Sequence, residues 1–159
     1  MNHIELRDLI LGGQDGLVNV LGITLGLFAA GATTHIIIIA GLAAGFSESV
    51  SMGAVAYTSA SVDTHRLKTE SLSQFAFDAL VVGLSALVCS LIPLIPFAFL
   101  STTASVVTGI ILSSIILFAF GVFRARSVGG SLWKSGFQIL VIGLVSAFAG
   151  FLIGLVLKA

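Results

Sequence analysis

Five side chains in this sequence have the types and spacing to hold a cation: Asp15, Asn19, Glu48, Ser51 and Met52. Asp15 sits in Gln14-Asp15-Gly16, and Asn19 follows one helical turn later. Glu48 sits in Ser47-Glu48-Ser49, with Ser51 and Met52 one turn on. Helix neighbours at i+3 and i+4 share a face. Asp15 and Asn19 therefore line one stripe, and Glu48, Ser51 and Met52 line another. Carboxylate and amide oxygens suit hard cations such as magnesium or manganese. A thioether shifts the preference toward iron(II) and similar first-row ions. Met52 is either such a ligand or a filler of core space. All five residues lie in long apolar stretches, where a carboxylate costs on the order of 3 kcal/mol. A buried Lys or Arg would neutralise it, but Arg7, Arg66 and Arg124 lie at or beyond the ends of those stretches. Two readings remain: a protonated acid hydrogen-bonded to backbone, or a cation or proton site. In the second, an arriving divalent cation displaces protons, which is the chemistry of proton-coupled metal movement.

The elements that must position these residues are set by composition. Of 159 residues, 57% are hydrophobic and 9% are charged, with a mean hydropathy of +1.17. A soluble domain carries about 25% charged residues. A soluble enzyme, a disordered tail and a DNA-binding protein are excluded. Seven basic residues balance seven acidic ones, so no polyanion partner is implied, nucleic acid included. Cys89 stands alone in an apolar run, without a disulfide partner or a metal-binding Cys pair.

A helix crosses a bilayer with roughly 20 apolar residues, and five stretches qualify. They run from about Leu9 to Gly31, Thr34 to Ser59, Phe77 to Leu100, Ser105 to Phe123 and Leu132 to Leu157. No alternating strands appear, which argues against an outer-membrane barrel. The first stretch is too long, and too poor in preceding basic residues, for a cleaved signal peptide. The expected fold is an all-α membrane protein, a single five-helix transmembrane domain over residues 1–159. Arg7, Arg66, Lys68, Arg124, Arg126 and Lys134 fall on one side and only Lys158 on the other. That bias predicts a cytoplasmic N-terminus. The outer connections, near Ala32-Thr33 and Phe99–Ala104, are short and uncharged, which does not suit a receptor.

Depth follows from a rise of about 1.5 Å per residue. Asp15 lies about 9 Å and Met52 roughly 9–11 Å from the cytoplasmic end of their spans, and Asn19 and Glu48 about 6 Å deeper. Two layers are expected, Asp15 with Met52 and Asn19 with Glu48. The glycine pairs Gly22/Gly26, Gly41/Gly45 and Gly150/Gly154 let helices approach closely, either within one chain or between two. Five short helices hardly enclose a hydrophilic path alone, which favours a parallel homodimer with the path between subunits. Pro93 and Pro96 are expected to kink or end the third span.

Other chemistries fit less well. Gly45-Phe46-Ser47 matches the start of a nucleophilic-serine motif, but residue 49 is Ser rather than Gly, and no histidine lies deep in a span; His35 is at an outer edge. Asp78 is the other near-span Asp, expected at a cytoplasmic helix start where negative charge is favourable. Gly12-Gly13 with Gly16 lacks the Lys-Ser/Thr of a phosphate loop. Asp63, His65 and Glu70 form either a loop metal site or a solvated loop.

Arg7-Asp8-Leu9-Ile10-Leu11-Gly12-Gly13-Gln14-Asp15-Gly16-Leu17-Val18 resembles the first-span signature of the vacuolar iron transporter family. Ala40-Gly41-Leu42-Ala43, followed by Ser51-Met52-Gly53 and Tyr57, resembles its second-span signature. The resemblance covers the whole chain in topology and the first two spans in motif. It implies a homodimeric carrier that exports iron(II), manganese(II) or related ions from the cytosol while protons move the other way. It also implies that Asp15 and Met52 line the path. No permanently bound cofactor is implied; the metal is cargo. Three departures stand out. Some iron-transporting members carry Glu where this chain has Ala44, and Glu48 lies one turn later on the same face. Many carry Gly-Glu-Tyr where this chain has Val55-Ala56-Tyr57. Plant iron carriers insert a long Glu-rich metal-binding domain between spans two and three, for which Ser61–Ala76 is too short.

The expected function is thus a proton-coupled divalent metal transporter, with Asp15, Glu48 and Met52 as path ligands and Asn19 and Ser51 in support. The alternative is a non-transporting membrane assembly partner or degenerate homologue. No organelle address is visible. The compact chain suits a prokaryotic cell membrane, or a vacuolar-type membrane if the source is eukaryotic.

Overall fold

In a computed structural model of the chain, residues 3–62 and 71–158 are described. Five long helices follow one another: α1 (His3–Ala29), α2 (Thr34–Val62), α3 (Leu72–Leu91), α4 (Thr102–Val128) and α5 (Leu132–Leu157). Among the described residues there is no strand. All five are long and apolar enough to cross a membrane, so the chain is an all-α, multi-pass membrane protein. Arg66 and Lys68, and the loop cluster Asp63, His65 and Glu70, lie outside the described residues.

The spans differ from the hydropathy reading at their ends. The third begins at Leu72 rather than Phe77. Its start is set by capping: the backbone N–H of Ser71 donates to Gln74 Oε1 at 2.7 Å, using a donor the helix leaves free. Asp78 consequently lies well inside α3 and not in its first turn. At the other end, Pro93 and Pro96 stop the α-helix at Leu91, and the chain continues as a 3₁₀ segment over Ile92–Ala98. Proline has no N–H to give and clashes with the preceding turn, so the ladder tightens and ends. The expected effect of these prolines holds.

Helix α1 is the central post. It touches α2, α3, α4, α5 and the 3₁₀ segment, and just over half of its span is buried. Its inward residues Leu17, Val20, Leu21 and Leu25 are almost fully enclosed. One apolar cluster joins Leu17 to Leu117 of α4 and Ile139 of α5. Another joins Leu21 and Leu25 to Ile37, Phe97, Val106 and Ala147. Large apolar side chains such as Val50, Ile115 and Val145 point outward, which is the arrangement lipid permits and water does not.

The seam between α1 and α5 needs glycine. These two helices run parallel, with Gly22 and Gly26 against Gly150 and Gly154. A Cβ on Gly26 would stand 2.8 Å from the Gly150 carbonyl oxygen. The pair Gly41/Gly45 packs against Leu94 and Ser90 in the same close manner. All three glycine pairs thus serve contacts within the chain.

Candidate cation site between α1 and α2

The α1–α2 hairpin brings together three of the five residues. Its tight turn uses Gly31 at a φ of 82°, so the helices run antiparallel, and Asn19 meets Glu48. Asn19 Nδ2 donates to Glu48 Oε2 at 2.6 Å. The Asp15 carboxyl stands within hydrogen-bonding reach of the Glu48 carboxyl. The layer expected from depth, Asn19 with Glu48, is present, and Asp15 leans into it. Bonding through Nδ2 leaves the Asn19 Oδ1 free as an acceptor or ligand.

Ser51 and Met52 sit differently. Met52 is half-buried one turn beyond Glu48, at the level of Asp15 by helix register. Ser51 is exposed, and its hydroxyl makes no hydrogen bond among the described residues. Neither has a described bond to the carboxyls. Ala44 is half-buried one turn from Glu48 on the other side, and Ala56 is half-buried one turn past Met52. Neither position of the missing family acids is fully exposed.

One residue that matters was not singled out from sequence. Ser49, next to Glu48, donates from Oγ to the carbonyl of Gly83 on α3 at 2.8 Å. That bond fixes the rotation of α2 and so the direction of Glu48. The available signal was a serine beside an acid in an apolar helix, which does not say what it faces.

Two carboxyls at close quarters repel when both are charged, and a cation or a shared proton removes the repulsion. Among the described residues no basic side chain contributes to the surroundings of Glu48, where Asp15 and Asn19 act. Among the described residues no group of three His, Cys, Asp or Glu side chains converges. A single chain thus offers two acids and an amide, short of a full cation shell. The site also opens outward. Asp15 is exposed, and from Asn19 a groove of about 560 Å³ runs between α1 and α5 past Gly22, Gly26, Ser146, Gly150 and Ile153.

Five membrane-crossing helices, two of which bring a pair of acids together, define an integral membrane protein with a candidate cation site. The VIT family model matches residues 6–76 and 62–155, and the chain belongs to that family. Among curated proteins it is similar to "Vacuolar iron transporter 1" of Oryza sativa subsp. japonica, 22% identical over 208 positions covering 92% of this chain and 82% of that protein. It is also similar to "Vacuolar iron transporter 2" of the same plant, 24% identical over 92% of this chain and 85% of that protein. The 92% coverage corresponds to about 146 of 159 residues, so some 60 of the 208 positions have no counterpart here. The two stretches matched by the family model overlap over residues 62–76, across the α2–α3 connection.

Proposed function

We propose that the protein is a homodimeric transporter that exports iron(II) or manganese(II) from the cytosol in exchange for protons, with its N-terminus cytoplasmic. The observation that carries this reading is the open site: Asp15, Asn19 and Glu48 converge between α1 and α2, with Asp15 exposed. An exposed carboxylate cannot face lipid without cost. A second copy laid against the open α1 face would seal it and double the number of ligands. In this arrangement Asp15 and Glu48 bind the cation, Asn19 orients Glu48 and offers Oδ1, and Met52 and Ser51 complete the path on the cytoplasmic side. Iron in the names of both Oryza sativa relatives supports the choice of cargo.

The test is transport by purified protein in liposomes, following iron(II) and manganese(II) with and without a pH gradient. Wild-type flux should respond to the gradient, and Asp15→Asn should reduce it to background in a dimer that still folds. A second reading, a non-transporting membrane partner, is favoured by Ala44 and Ala56 and by the lack of a three-ligand group among the described residues. Absent flux from correctly inserted wild-type dimer, together with no stabilisation by either metal, would decide for that reading.

A further inference from the structure

The zero net charge of this chain conceals a strong division. Every acidic residue lies at or before Asp78; residues 79–159 carry Arg124, Arg126, Lys134 and Lys158 and no Asp or Glu. Three of those four cations crowd the turn between α4 and α5. Arg124 and Arg126 flank the buried Ala125 near the end of α4, and Lys134 is the third residue of α5. All three are exposed, and none has an ion pair or hydrogen bond among the described residues.

The turn that carries them is well built. Gly129 ends α4 in the left-handed conformation, at a φ of 72°, and Gly130 N–H donates to the Ala125 carbonyl at 2.9 Å. Beside the cations stands a three-ring cluster. The Phe118 ring centroid lies 5.6 Å from that of Trp133 and 5.4 Å from that of Phe137, and Trp133 to Phe137 measures 6.4 Å. Trp133 is nevertheless 69% exposed. Indole rings favour the boundary between headgroups and acyl chains. Trp133 is the second residue of a membrane span, which places it at that boundary. An acidic soluble protein would explain the cations but not the exposed rings next to them. A lipid with a negative headgroup explains both.

We propose that the α4–α5 turn is a binding site for anionic phospholipids, in which Arg124, Arg126 and Lys134 meet the headgroup and Trp133, braced by Phe118 and Phe137, seats against the acyl chains. The site is separate from the α1–α2 acids, and the proposal does not rest on the cargo or the direction of transport. Basic residues near a membrane surface gain from anionic lipid, each by about fivefold in affinity.

The experiment is native mass spectrometry and thermal melting of the purified protein in detergent, with added phosphatidylglycerol, phosphatidylcholine or inorganic phosphate. Phosphatidylglycerol should remain bound and raise Tm, while phosphatidylcholine and inorganic phosphate should not. Arg124→Gln, Arg126→Gln and Lys134→Gln should each weaken phosphatidylglycerol binding about fivefold. Trp133→Ala should weaken it too. Lys158→Gln, at the opposite end of the bundle, should leave it unchanged. Equal retention of the two lipids overturns the proposal. So does full competition by inorganic phosphate, which would make the turn a free-anion site. Unchanged binding in all three of these single variants also overturns the proposal.

Discussion

Glu48 can be stripped of charge without being stripped of its partner. In Glu48→Gln an oxygen still faces Asn19 Nδ2, so the bond between α1 and α2 survives in neutral form. The expected result is metal flux at background with a melting temperature within a few degrees of wild type, since a charge-assisted bond exceeds a neutral one by about 1 kcal/mol. Asn19→Leu is the complementary change. It keeps both acids and removes the amide, and a transport assay should show weaker apparent affinity rather than total loss. The position of the acid is testable as well. Ala44 is half-buried one turn from Glu48, so Ala44→Glu combined with Glu48→Ala restores a carboxylate to the same stripe. Partial flux in that double variant is expected, and its absence from a folded protein would count against Glu48 standing in for an acid at position 44. Asp15 and Glu48 were legible in the sequence because an acid in an apolar helix is costly enough to require a reason. Ser49 was not, because its bond to the Gly83 carbonyl depends on how α2 is rotated against α3, and spacing along one helix carries no such information.

The α1–α5 seam sets the shape of the site at the level of elements. Gly150 faces the backbone of Gly22, and a side chain there would meet main chain rather than a yielding side chain. Gly150→Leu should therefore destabilise the bundle by about 1–3 kcal/mol, the usual cost of overpacking. Melting in detergent would show it, and Ile115→Leu, on an outward face of α4, serves as the neutral control. The existence of all five helices was readable from hydropathy alone, because the bilayer imposes a minimum length of apolar chain. Helix ends were not. The start of α3 moved to Leu72 because Gln74 caps Ser71, a local polar bond that a hydropathy window cannot weigh. The proline stop in the same helix was readable, since it follows from covalent geometry and needs no tertiary information.

For the molecule as a whole, the open face of α1 is the feature that asks for a second copy. Leu11 lies one turn from Asp15 on that face and is 53% exposed. If two chains meet there about a two-fold axis, Leu11→Cys in a Cys89→Ala background should cross-link to itself under mild oxidation in the membrane. Ile115→Cys in the same background should not. Monomer in both cases would remove the subunit-interface path. The glycine pairs could not announce this interface from sequence, since the structure uses all three for contacts inside the chain.

Among the described residues no basic side chain stands beside Asp15 and Glu48, which has an electrical consequence. If two protons leave the site for each doubly positive ion that enters it, the loaded and empty forms bear the same charge. The proposed exchange then moves no net charge across the bilayer. A potassium diffusion potential set with valinomycin should leave metal uptake into liposomes unaltered, while collapse of the pH difference should stop the uphill component. Such a carrier would draw on the acidity of one compartment and be indifferent to the membrane voltage.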